Sequence, residues 1–200
     1  MSNPSMPAVP METWRVFVAV PLSDEAVHQL TSLMSEAKGF SGPGVRWTGE
    51  GNLHLTLRFL GEVPVKQLDL IKKACQAAAD SCQVLHLSLS GTGAFPSWRR
   101  PRVLWAGIGG EVPQLTALVA RLERELESLV PPPDKPFAPH VTIARCRECP
   151  PALSSFWQKA GSRLELPFPA EKIILFRSRL LPGGAKYTPL FTAQLAPPSA

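Results

Sequence analysis

No apolar run in this 200-residue chain approaches the ~20 residues that a membrane-spanning helix needs. The first thirteen residues, MSNPSMPAVPMET, lack the basic n-region and apolar h-region of a secretory signal and carry three prolines, so they read as a flexible tail. Cysteines number only four, and without an export signal they are expected as reduced thiols in a cytoplasmic protein. Cys75 and Cys82 lie seven apart on one expected helix, and Cys146-Arg-Glu-Cys149 is a lone CxxC. The paired spacing of a zinc ribbon is therefore missing, and Cys146 and Cys149 read as incidental thiols. A Gly-rich phosphate loop, a Ser-nucleophile motif and a carboxylate cluster of the type that holds hard cations are missing too. Neither a metal nor a cofactor is expected, and no membrane partner.

What is present begins with charge. Lys and Arg total 21 against 16 Asp and Glu, and the formal surplus of +5 favours an anionic partner. A hydrophobic content of 44% suffices for one sizeable core.

Two short stretches stand out, Leu53-His54-Leu55-Thr56-Leu57 and Pro139-His140-Val141-Thr142-Ile143. Each reads as a strand. Side chains on a strand alternate between faces, so His54 shares a face with Thr56, and His140 with Thr142. For either motif alone the plain reading is a polar residue on an exposed strand face. The duplication in matching contexts reverses that. Two imidazoles facing one another suit general acid–base chemistry, and two hydroxyls supply donors for phosphate oxygens. His86-Leu87-Ser88-Leu89 fits the same short pattern, but no counterpart to the His strands is expected there, so His86 reads as a solvent-facing or loosely packed residue. His28 lies within the first helix and reads as structural.

The rest of the chain supports a pseudo-repeat. Residues 14–20 (WRVFVAV) form a buried strand, and Ser23 caps a helix that ends before Gly39. The first His strand ends at Gly61, and a helix over 64–82 follows with Leu68, Ile71, Ala74, Cys75 and Ala78 on its apolar stripe. A strand over 84–90 and a Gly/Pro/aromatic loop over 91–101 complete the first half. The second half repeats the order, with a strand over 103–108 closed by Gly109-Gly110, a helix over 112–129, the second His strand and a helix over about 152–160. Strands over 172–180 and 187–195, turning through Pro182-Gly183-Gly184, close the chain. Both halves thus read strand–helix–His-strand–helix–strand, which would place the motifs across a pseudo-two-fold cleft.

Arginines cluster at Arg99-Arg100-Pro-Arg102, at Arg145/Arg147 and at Arg177/Arg179, with Phe95 and Trp98 interleaved in the first cluster, where an aromatic can stack on a base. Arg58, four past His54, is expected on the face of His54 and Thr56; Arg145 is five past His140. Both are candidate substrate-binding residues.

Paired His-x-Thr-x motifs are the signature of the two-histidine phosphoesterases. The stretches RVFVAVPL, NLHLTLRFLGEV, GAFPSWRRPRVLWAGI, FAPHVTIAR and ILFRSRLLPGGAKYTPL resemble, in order, the RNA 2′,3′-cyclic phosphodiesterase branch, also called 2′-5′ RNA ligases. The resemblance implies an α+β fold of two pseudo-symmetric lobes, each an antiparallel sheet with helices on its outer face, around a central cleft. It assigns residues 14–196 to one bilobal domain, leaving 1–13 and 197–200 as tails. It further implies metal-independent hydrolysis of RNA 2′,3′-cyclic phosphate ends to 2′-phosphomonoesters, with His54 as proton donor, His140 as proton acceptor, and Thr56 and Thr142 on the phosphate. A monomer is expected, although no motif bears on oligomeric state. Ligation by the reverse transesterification would use the same residues. An RNA-end-binding module is the non-enzyme alternative, and the intact histidines argue against it.

Overall fold

The computed structural model describes residues 11–182 and 184–197. Most of the expected N-terminal tail, Gly183 of the expected turn and positions 198–200 lie outside the described residues.

The chain runs β1 (Thr13–Pro21), α1 (Asp24–Lys38), β2 (Val45–Trp47), β3 (His54–Pro64), α2 (Leu68–Asp80), β4 (Leu85–Phe95), β5 (Val103–Gly110), α3 (Val112–Leu126), β6 (His140–Cys146), α4 (Pro151–Ala160), β7 (Glu165–Ala170), β8 (Lys172–Leu181) and β9 (Gly184–Gln194). Local chemistry explains several boundaries. The Ser23 hydroxyl accepts the Ala26 N–H at 3.2 Å, and Asp24 and Glu25 sit in the first turn of α1, where the helix dipole favours them. Ala26, Leu30, Leu33, Met34 and Ala37 then follow helical spacing and are buried.

Several boundaries differ from expectation. Gly61 does not end β3; it adopts φ 74° inside the strand, and pairing with β1 continues to Pro64. β4 runs on to Phe95, with Gly91 at φ 71° in the bulge between Leu89 and Thr92, and β5 includes Gly109 and Gly110, because Gly93, Gly109 and Gly110 each keep a ladder partner in the β4–β5 pair. β7 (ELPFPA) was not expected at all. Its two prolines remove ladder donors, and it pairs only with β4, as an edge strand can.

The nine strands of the described residues join one antiparallel sheet in the order β7-β4-β5-β6-β3-β1-β8-β9, with β2 beside β6. The order has an internal symmetry. In each block of four, a His strand (β3 or β6) is followed outward by the opening strand of its own half (β1 or β5). Next comes a strand from the other half of the chain: β8 against β1, and β4 against β5. The sequence repeats therefore exchange their later strands, and the units read from sequence are not the spatial units. The blocks meet where β3 and β6 share one register pair, Leu55 opposite Val141. On one face Val16, Val18, Val20, Leu55, Leu57, Val141 and Ile143 enter a single apolar core with the stripes of the four helices. The other face of β3 and β6 carries the polar pairs.

Candidate active site

Opposed residues in an antiparallel ladder point to the same side. His54 lies opposite Pro21 and Thr56 opposite Ala19, while His140 lies opposite Gly107 and Thr142 opposite Trp105. Carrying the Leu55–Val141 register one residue either way sets His54 across from Thr142, and Thr56 across from His140. Both imidazoles and both hydroxyls are thus brought together on one face, as the alternation in sequence requires.

The two histidines are held alike. Nδ1 of His54 is 2.7 Å from the Asn52 carbonyl, and Nδ1 of His140 is 2.7 Å from the Ala138 carbonyl. A carbonyl can only accept, so each Nδ1 carries the proton and each neutral ring keeps its free lone pair on Nε2. Nε2 of His54 lies 2.9 Å from the Thr56 hydroxyl. Asn52 is itself tied down, since its side-chain amide donates to the Ala185 carbonyl of β9 at 2.8 Å.

Aromatic rings pack both imidazoles. Phe17 lies 4.9 Å from His54 between centroids and Tyr187 approaches it edge-on at 5.3 Å. Around His140 stand Phe95, edge-on at 5.1 Å, and Trp105 at 6.1 Å. The Trp105 indole covers Gly93, where any Cβ would overlap its ring. Burial among these rings pushes both imidazoles below the ordinary histidine value, against the raising effect of the Asn52 and Ala138 carbonyls. The charge of His140 lowers His54 further, and that of Arg145 lowers His140.

The two arginine candidates part company, and β-bulges are the reason. Val18 pairs with Arg58 but Ala19 pairs with Thr56, which leaves Leu57 as the extra residue. The bulge turns Arg58 onto the face of Val18, away from His54. There its guanidinium donates to the Phe59 and Pro131 carbonyls. The expected shared face of Arg58, His54 and Thr56 is therefore corrected. In β6, Ile143 is the corresponding extra residue, between Thr142 opposite Trp105 and Ala144 opposite Leu104. That bulge brings Arg145 to the face of His140 and Thr142, which strict alternation from His140 would have denied it.

His86 is exposed on β4 opposite Pro169, and His28 is exposed on α1; neither reaches this face. All four cysteines are free thiols. The Cys146 and Cys149 thiols touch one another, and burial together with that contact pushes Cys149 up to about 12. Among the described residues, no three His, Cys, Asp or Glu side chains gather as a metal would require. The sequence reading missed Phe17, Tyr187, Asn52 and Trp105. No residue identity signals the Asn52 contact, since any residue two before a histidine supplies a main-chain carbonyl, as Ala138 does for His140.

The sequence profile of the LigT-like phosphoesterases matches residues 20–105 and 109–187. An RNA 2′,3′-cyclic phosphodiesterase of Archaeoglobus fulgidus is 32% identical over 176 residues, which is 88% of this chain and 97% of that relative. The protein TT0787 of Thermus thermophilus superposes with a TM-score of 0.78 at 31% identity, covering 92% of this chain and 98% of the other. E. coli LigT in its apo form gives 0.71 at 26% identity, covering 92% and 99%. With both His-x-Thr pairs on one face of a matching sheet, the chain belongs to the LigT-like phosphoesterase family, within the two-histidine superfamily.

Proposed function

We propose that this phosphodiesterase opens RNA 2′,3′-cyclic phosphate ends to 2′-phosphomonoesters, without a metal, with His54 as general acid and His140 as general base. The observation that carries the reading is the pair of imidazoles with Nδ1 pinned to a main-chain carbonyl and Nε2 left for chemistry. Names of relatives such as the Archaeoglobus fulgidus enzyme support the substrate class.

In this mechanism Nε2 of His140 takes a proton from water as the water oxygen bonds to phosphorus. The bond from phosphorus to the 3′-oxygen breaks, and protonated His54 gives its Nε2 proton to that oxygen. The Thr56 and Thr142 hydroxyls donate to the non-bridging oxygens, and Arg145 adds positive charge beside His140. Burial favours the neutral form of His54 in the free protein, and the anionic phosphate favours its protonated form on binding. The free thiols suit a cytoplasmic setting.

Leaving-group chemistry tests the roles. A substrate with a better leaving group needs less protonation, so it should partly rescue His54→Ala and leave His140→Ala inactive. Rescue of the His140 variant instead would reverse the assignment.

A further inference from the structure

Residues 40–48, 95–105 and 137–147 contain six arginines and no carboxylate, more positive charge than the +5 surplus of the whole chain. The fold brings these three segments together. Arg46 of β2 lies directly opposite Arg145 of β6, and Val103 of β5 flanks Arg145 on its other side. The Arg102 carbonyl accepts the Cys146 N–H at 2.8 Å, and the Arg102 guanidinium donates to the Arg147 carbonyl. Arg46, Arg145 and Arg147 line one groove of about 490 Å³. Arg99 and Arg100 stand exposed on the loop that leaves β4 at Phe95, against His140, and returns at Arg102.

Like charges directly opposite on neighbouring strands destabilise a sheet. Among the described residues none of the six arginines has a carboxylate within ion-pair distance, although three ion pairs form elsewhere. At the far side of the site, cations are accommodated differently. Arg15 lies opposite Glu62 and over the Phe59 ring, while Arg177, opposite core-facing Val16, turns to the other face of the sheet and lies over Trp14 at 3.8 Å. Phe59 occupies the position after the Leu57 bulge on β3 that Arg145 occupies after the Ile143 bulge on β6. The position after the bulge is thus an aromatic at one end of the pseudo-symmetric site and an unpaired cation at the other.

We propose that Arg46, Arg147 and the Arg99–Arg102 loop, continuing from Arg145, form a track for the phosphodiester backbone of an RNA strand whose cyclic end lies between the histidines. The proposal rests on the cyclic-phosphate reading above, because a strand ending there continues only through the 5′-phosphate of its terminal nucleoside. A single anion needs one or two guanidiniums; this row leads away from His140 along a sheet edge and a loop. Phe95 and partly buried Trp98, in the same loop segment, offer faces for bases.

The test compares a 2′,3′-cyclic mononucleotide with an RNA of about ten nucleotides ending in the same group, from about 50 to 200 mM KCl. Wild-type protein should favour the longer RNA. In the Arg46→Gln/Arg147→Gln double variant, the ratio of the two kcat/KM values should fall about tenfold. The slope of log kcat/KM for the longer RNA against log salt should become shallower by about 1.4, at about 0.7 per lost single-strand phosphate contact. An unchanged ratio and slope would overturn the track while leaving the cyclic phosphodiesterase reading intact. If neither substrate turned over, that reading would fail. Fluorescence anisotropy with the same RNA carrying a 2′-phosphate end would then decide the track by the same change in slope. Arginine-dependent binding to anionic lipid vesicles, with no preference for the longer RNA, would assign the patch to a membrane surface instead.

Discussion

The Nδ1 of His140 lies 2.7 Å from the main-chain oxygen of Ala138, and this contact decides which ring nitrogen is free for chemistry. His54 repeats it on Asn52. At pH 8, nitrogen-15 NMR of the free protein should show both rings protonated at Nδ1 and unprotonated at Nε2. The opposite tautomer at either ring would remove the free Nε2 on which the mechanism depends.

Both imidazoles lie below the ordinary value of 6.5, chiefly through burial. Their NMR titration midpoints should fall below it, and kcat/KM should be bell-shaped with its optimum on the acid side of 6.5. The sign for stability follows. Below 6.5 the unfolded chain binds protons that the folded rings refuse, so these two groups destabilise the fold as pH falls toward their folded pKa values. The penalty is absent above the unfolded value. Removing His54 by substitution with Phe should flatten the slope of unfolding free energy in that window; an unchanged slope would contradict the burial argument.

Arg58 and Arg145 are separated by their bulges. Arg145→Ala should lower kcat/KM about 10- to 100-fold, the worth of one charged hydrogen bond in the transition state. Arg58→Ala should change turnover less than about threefold and shift stability by about 1 kcal/mol through its lost main-chain contacts. Equal losses of activity in both variants would place Arg58 in the site after all.

This pair also marks where the sequence stopped being legible. Alternation placed His54 with Thr56, and His140 with Thr142, because no bulge intervenes within either motif. One residue further, Leu57 and Ile143 each break the period of two, and nothing in their identity distinguishes them from paired residues. The cap at Ser23 and the stripe of α1 were readable because they depend on neighbours in sequence. The exchange of β4 and β8 between halves was not, since which strands pair is settled by packing between distant segments. β7 was hidden by prolines that an edge strand tolerates.

Trp157 is fully buried on α4 and donates its indole N–H to the Trp105 carbonyl at 3.0 Å, tying that helix to the strand beneath His140. Trp157→Ala should cost about 3–5 kcal/mol of stability, read as a lower denaturant midpoint. A loss below about 1 kcal/mol would mean that the surrounding core collapses into the space.

The central claim is tested most directly by incubating the protein with a 2′,3′-cyclic nucleotide in EDTA and identifying the product by phosphorus NMR. A 2′-phosphomonoester should form at an undiminished rate, and His54→Ala and His140→Ala should each lose about 10²–10⁴-fold, while His86→Ala keeps most of its turnover. A 3′-phosphate product, strict dependence on added Mg²⁺ or Mn²⁺, or a His86 variant as inactive as the other two would contradict the account.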